Sequence, residues 1–352
     1  MDLGVIIAQG TDGWEVAVRA EELGFKTAWF EDSQMVAADP IAMMAVAAMK
    51  TSRINLATGV LIPSNRIVPQ TANSLTTLNN LAPGRIIMGI GTGFSGRRAM
   101  GFGPIKVKDM RSYIKGVCGL MRAEMIEWEF EGKQTKIAFV HADKNLINTT
   151  DPIPAYIGAQ GPRMRRLIAE VEGNWLNLFS SPELARSDYS DMQTAWADAG
   201  NKGTFNKAII TAGCPLRDGE TADGPKAMRQ GGPLAAVTLH NIMEAEIHGS
   251  LGTGEPDDSQ AMAKYRQIYE SYEPADARHI SLHRGHALFV REDEAEFVTG
   301  DLIKQTTMTA PVEEIRERVQ ELARIGYDEL TVIVHPGDDD ILERWVEVME
   351  GV

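Results

Sequence analysis

Residues 85–96 read RIIMGIGTGFSG, a β-branched apolar run that closes on spaced glycines at Gly89, Gly91, Gly93 and Gly96. Such a run is a buried strand whose last backbone atoms come close to something else. The segment Gly91-Thr92-Gly93-Phe94-Ser95-Gly96 also fits the GxGxxG dinucleotide pattern. That pattern belongs on the first strand of a βαβ unit, with an acid closing the next strand about 20 residues on. Here three strand–helix units precede it, and Arg97 and Arg98 follow with no such acid on schedule. The Rossmann reading is excluded. A glycine cradle for a phosphate or a flat ligand is retained, on a different fold.

Working outward, short apolar strands alternate with helices. Strands are expected at Leu3–Ala8, Lys26–Glu31, Ile54–Leu61, Arg85–Gly91, Ala155–Gly158, Asn174–Leu178, Lys207–Gly213 and Glu329–Val334. None alternates cleanly between apolar and polar, so the sheet is parallel and covered on both faces. Eight such units close most simply into a (β/α)8 TIM barrel, with an open doubly wound sheet as the alternative. Residues 127–142 alternate around Glu131-Gly132-Lys133 and predict a surface hairpin. Residues 214–300 exceed what one unit needs, and predict an insertion after strand 7 that lies over the C-terminal face, within a single domain spanning 1–352.

The chain has 352 residues, 43% hydrophobic and 24% charged, with a formal charge of −14. The negative charge argues against nucleic acid and anionic membrane surfaces. Cys118 and Cys214 make neither a disulfide framework nor a CxxC site, which fits a reducing cytosol. The chain starts directly in strand-like sequence with no signal-type segment, and no apolar run reaches the roughly 18 residues of a membrane span. A cytoplasmic location is therefore expected.

A barrel keeps its site at the strand C-termini. Those ends read Gln9, Glu31-Asp32-Ser33, Thr58-Gly59-Val60, Gly91-Thr92-Gly93, Gly158-Ala159-Gln160-Gly161 and His335, a small, neutral set suited to a flat organic cofactor. After Gly161, Pro162 suits the first position of a helix whose free amides can bind an anion, with Arg163, Arg165 and Arg166 adding charge. A tight strand–helix turn with solvated arginines is the plainer account of the same residues.

The segments WFEDS, TGVLIPSNR, GRIIMGIGTGFSG and PAYIGAQGPRMRRLIAEVEGNWLNL, in this order, resemble the luciferase-like flavin oxidoreductases. The most similar branch is that of the deazaflavin-dependent methylenetetrahydromethanopterin reductases. The resemblance covers residues 1–213 well and the insertion only loosely. It implies a luciferase-like barrel with coenzyme F420 or FMN at the strand ends. Thr58, Gly59 and Val60 would lie behind the ring, with a non-prolyl cis peptide at Gly59-Val60 forming a bulge. The phosphate or tail would lie at Gly158, Ala159, Gln160, Gly161, Pro162, Arg163 and Met164, and near Gly91, Thr92, Gly93 and Ser95. Asp32 and Ser33 would stand at the reacting face, although the reductases commonly carry Asp-His there. The family also suggests a homodimer.

Asp32 has two readings: a residue that orients the ring or handles a proton, or a structural partner of an arginine. Glu31 is expected to point the other way. His279, His283 and His286 are the densest histidine cluster, read as a loop entering a strand. Part of the insertion, made flexible by Gly252-Thr253-Gly254, is expected to form a lid from which His283 or His286 reaches the substrate, with no metal bound. The resulting expectation is hydride transfer between a deazaflavin and a small organic substrate. The alternatives are an FMN-dependent monooxygenase fed by a separate flavin reductase, and a metal-dependent barrel hydrolase using the insertion histidines.

Overall fold

The computed structural model describes residues 1–7, 10–248 and 259–352, with the side chains of 246–248 left out. Gln9 and the Gly252–Gly254 segment lie outside the described residues.

Eight parallel strands close into a barrel: β1 (Asp2–Ile7), β2 (Thr27–Phe30), β3 (Asn55–Thr58), β4 (Ile86–Ile90), β5 (Ala155–Gly158), β6 (Asn174–Leu178), β7 (Lys207–Ala212) and β8 (Glu329–Val334). Each strand pairs with its sequence neighbours, and β8 closes on β1 with Asp2 opposite Glu329 and Ile7 opposite Val334. The helices between them pack outside. Their ends follow from local chemistry: Asp39 caps the amides of Ile41 and Ala42 ahead of Pro40–Lys50, and Gly24 takes φ +88° after Gly13–Glu22.

Two apolar layers result. The larger lies between strands and helices. The smaller fills the barrel with Ile6, Trp29, Ala57, Ile87, Leu176 and Ala208, and it fixes which residues point inward. At the N-terminal end the filling is polar. The Glu329 carboxylate accepts from Thr27 (2.7 Å), Trp29 Nε1 (2.9 Å) and Thr331 (2.8 Å). Gly4 leaves it room, since a Cβ there would lie 2.5 Å from Glu329 Oε1. A cavity of about 280 Å³ opens at this end, but its buried carboxylate is consumed by these donors. It is a plug.

The expected hairpin is present as Ile126–Phe130 paired with Lys133–Ile137, with Gly132 at φ +73°. The described residues of 214–300 form the helices Pro225–Gln230, Gly232–His248, Gln260–Glu270 and Arg278–Leu282. The histidine segment was expected to enter a strand, and here the structure differs. Arg278–Leu282 is a helix that buries Leu282 in a satellite core with Ala235, Leu239, Met243, Met262 and Tyr265. The insertion touches the barrel beyond its strand C-termini, where Gln230 brackets the His335 backbone through Nε2 to its carbonyl (2.8 Å) and Oε1 from its amide (2.9 Å).

Candidate active site at the barrel mouth

Alternation along each strand decides what lines the mouth. Trp29 points inward, so Glu31, two residues on, also faces the mouth, and Asp32 faces away. By the same rule Gly91, Gly158, Leu178, Ala212 and His335 form the upper inward ring. Glu31 is thus inside, contrary to the sequence expectation. Burial pushes its carboxyl up to about 7, the Ser33 hydroxyl, which donates to it, pulls down, and the neighbouring Asp32 charge pushes up. A carboxyl near 7 can hold or release a proton at working pH.

Of the two readings of Asp32, the geometry matches the structural one. Its oxygens accept from Arg66 Nη1 (2.9 and 3.0 Å), from the Ile62 amide (3.2 Å) and from Asn65 Nδ2 (3.3 Å). Asp32 is buried, its side chain 2% exposed, and Arg66 is half-buried and also pairs with Asp39. Asp32 therefore anchors the loop that follows β3. Ser33 is buried and acts on Glu31.

The β3 loop carries a bulge. Ala57 pairs with Ile87, yet Leu61 bridges to Ile90, so three residues on one strand oppose two on the other. The Thr58 hydroxyl mends the ladder, donating to the Gly89 carbonyl (2.8 Å) and accepting from the Gly89 amide (3.0 Å). The Gly59–Val60 peptide is cis, as the resemblance implied. Val60 packs against the barrel interior, and its Cγ2 would lie 2.8 Å from a Cβ on Gly91. The glycines differ in kind. A Cβ on Gly89 would strike the Thr58 carbonyl oxygen at 2.0 Å, whereas one on Gly158 would make ordinary contacts of 3.7 and 3.9 Å. Gly89 is needed by the fold; at Gly158 the fold has room for a side chain.

Past β4, Gly93 takes φ +86° and starts the short helix Phe94–Arg98, which places Thr92 and Ser95 half-buried beside the mouth. Past β5, Ala159 is buried, Gln160 and Pro162 are exposed, and Gly161 is the N-cap of Pro162–Val171 with no side-chain cap. The Met164 and Arg165 amides bond the Gly161 carbonyl, leaving the Gly161 and Arg163 amides without partners among the described residues. Arg165 does not serve this end as expected. It is buried and held by Asp188, by Asp191 (3.0 Å) and by the Gln160 carbonyl (2.7 Å). Arg163 and Arg166 are exposed.

His335 is buried with neither ring nitrogen bonded among the described residues, and burial pushes it down to about 4. A buried, unbonded imidazole at a barrel mouth is suited to a ligand that supplies the missing partner. His283 and His286 are also buried, but their third neighbour is His240, not His279. His286 Nδ1 lies 3.1 Å from His240 Nδ1 and 3.2 Å from His283 Nδ1, while its Nε2 meets the Ser95 hydroxyl at 3.1 Å. His279 sits apart, against Gly101.

The missed residues had faint signals. Glu31 could have been found from its two-residue spacing to Trp29. His240 stands 43 residues before His283, within an apolar helix, and nothing local marks it.

A family model described as luciferase-like monooxygenase matches residues 8–329. The 5,10-methylenetetrahydromethanopterin reductase of Methanolobus tindarius is 34% identical over 257 residues, covering 67% of this chain and 74% of that protein. An F420-dependent glucose-6-phosphate dehydrogenase of Nakamurella multipartita is 29% identical over 175 residues, 46% of this chain and 50% of that protein. The chain thus spans about half the length of the second relative. The structure of a coenzyme F420 dependent tetrahydromethanopterin reductase from Methanopyrus kandleri superposes with a TM-score of 0.65 at 19% identity, covering 98% of both chains. It shares the fold.

Proposed function

Because the chain belongs to the luciferase-like monooxygenase family, we propose that its barrel mouth binds coenzyme F420 and that it transfers a hydride between this deazaflavin and a small organic substrate. The observation that carries the reading is the bare wall of the mouth. Gly158 faces inward with room before it, the Val60 bulge packs over Gly91 on the neighbouring strand, and the uncapped helix start at Gly161 follows three residues after Gly158. The relatives named as F420-dependent glucose-6-phosphate dehydrogenases favour the deazaflavin over FMN.

The residues fit such a group. Val60, packed over Gly91, would brace one face of the ring with its bulge, and Gly158 would let the ring lie against backbone. The free amides of Gly161 and Arg163 would take the phosphate, with Thr92 and Ser95 across from them. The bound deazaflavin supplies the hydride chemistry, and the protein supplies orientation and a dry site. Glu31, held by Ser33, is placed to keep or release a proton at the mouth. His335 offers a ring nitrogen to whatever lies there. The insertion serves as a lid, fastened to the loops after β4 and β8 by His286–Ser95 and by Gln230 on His335. A cytoplasmic homodimer completes the proposal, and no helix among the described residues is long and apolar enough to cross a membrane.

Gly161→Asp tests the phosphate end. Gly161 has an ordinary φ of −112°, and a Cβ there meets nothing within 4 Å. Aspartate is also a good N-cap, so the fold should be kept or slightly stabilised. Its carboxylate would occupy and repel at the anion position. F420 affinity should fall at least about tenfold, or about 1.4 kcal/mol. Unchanged affinity in the folded variant would remove the phosphate from this helix.

A further inference from the structure

We propose that His240, His283 and His286 bind a divalent transition-metal ion, foremost Zn2+, through their three Nδ1 atoms, joining two segments of the insertion beside the barrel mouth. The cluster meets the proposed cofactor site at Ser95, and its metal does not depend on which flavin is used.

The geometry is that of a ligand set. The ligand atoms of the three side chains lie within 4.8 Å of one another, and two Nδ1 separations are 3.1 and 3.2 Å. Three nitrogens around a tetrahedral Zn2+ with bonds of about 2.0–2.1 Å stand about 3.3 Å apart. The rings come from two separate segments, His240 from helix Gly232–His248 and the others from the turn after Arg278–Leu282.

Proton bookkeeping leaves the cluster short of a positive centre. His240 Nε2 is 2.9 Å from the Glu294 carboxylate and His283 Nε2 is 2.6 Å from that of Glu244. Carboxylates accept, so these Nε2 atoms carry the hydrogens, and both Nδ1 atoms of the neutral rings present lone pairs. His286 faces both with a single Nδ1, which can donate to one of them at most. At least one buried lone pair is left without a donor. Further protons on these buried rings would set like charges 3.1 and 3.2 Å apart. A metal ion takes all the lone pairs at once.

The outer contacts are those that orient metal-binding histidines. Glu294 is itself fixed by Tyr265 (3.1 Å) and by Arg291 (2.9 Å), Glu244 by Arg98 (2.5 Å), and His286 Nε2 by Ser95. Neutral imidazoles suit Zn2+, Co2+ or Ni2+, and not Mg2+ or Ca2+. Among the described residues no fourth ligand joins the three, which leaves a position for water or a substrate oxygen.

The test uses the full chain without flavin, so its outcome is independent of the F420 proposal. Protein stripped with a chelator is titrated with Zn2+ and with Co2+, whose four-coordinate absorption reports the ligand field. The expected result is one saturable equivalent per chain and a rise in Tm on adding Zn2+. His240→Ala and His286→Ala should abolish both, and Glu294→Gln should weaken binding roughly 10- to 100-fold. His279→Ala should keep both. No stoichiometric binding by the folded wild-type chain would overturn the proposal, even if the alanine variants fail to fold. Binding that survives in a folded His286→Ala variant would overturn it too.

Discussion

Glu31→Gln should lower turnover at neutral pH by about 10²- to 10⁴-fold, the usual worth of a positioned proton carrier, while leaving the melting temperature nearly unchanged. Glutamine keeps the shape and can still accept from Ser33, but it cannot exchange a proton. Asp32→Ala should fail in the opposite way. Arg66 keeps Asp39, but the buried Ile62 amide and Asn65 lose a partner, which costs about 1–3 kcal/mol. Denaturant unfolding should register that loss, and the β3 loop carrying Val60 should loosen. The check is kcat and unfolding free energy measured side by side, with any substrate the wild type turns over. A stable, inactive Asp32→Ala with a fully active Glu31→Gln would return the proton role to Asp32.

Gly158→Leu should abolish cofactor binding, by at least about 100-fold or about 2.8 kcal/mol, with stability nearly intact. The fold has room for a Cβ at this position, and the remainder of the leucine would project across the mouth. Gly89→Ala is the contrasting variant. Its methyl group would meet the Thr58 carbonyl oxygen at 2.0 Å in the middle of the bulged ladder, so it should lose stability first. Equilibrium binding together with thermal denaturation separates the two. Full cofactor affinity in folded Gly158→Leu would show that the wall beside β5 is not where the ring lies.

The strands were legible because parallel strands buried on both faces form unbroken apolar runs, punctuated by glycine and proline. KTAWFE, RIIMGIG and ELTVIV needed no further information to be placed. The same property hid the direction of the side chains. With apolar surface on both sides of the sheet, TAWFED carries no polar alternation to say which acid enters the barrel, and Asp32 was favoured over Glu31. Packing of Trp29 inside the barrel settles the order. The bulge at 58–60 adds one residue to β3, which ends the regular ladder at Thr58, short of the expected Leu61.

Glycine loops were legible as cradles, because bare backbone at a strand end is a local property. The arginines after Gly161 were not. Arg163, Arg165 and Arg166 look alike in sequence, and only the helical turn sends Arg165 inward to Asp188 and Asp191. The histidine cluster failed for a related reason. His279, His283 and His286 were grouped by nearness along the chain, whereas the fold replaces His279 with His240 from the preceding long helix.

The central claim is that this mouth holds a deazaflavin. Titration of the wild-type chain with oxidised coenzyme F420 and, separately, with FMN tests it directly by the change in cofactor absorbance or fluorescence. Saturable binding of F420, at least about tenfold tighter than FMN, is the predicted result. Binding of FMN with none of F420, or of neither, would contradict it.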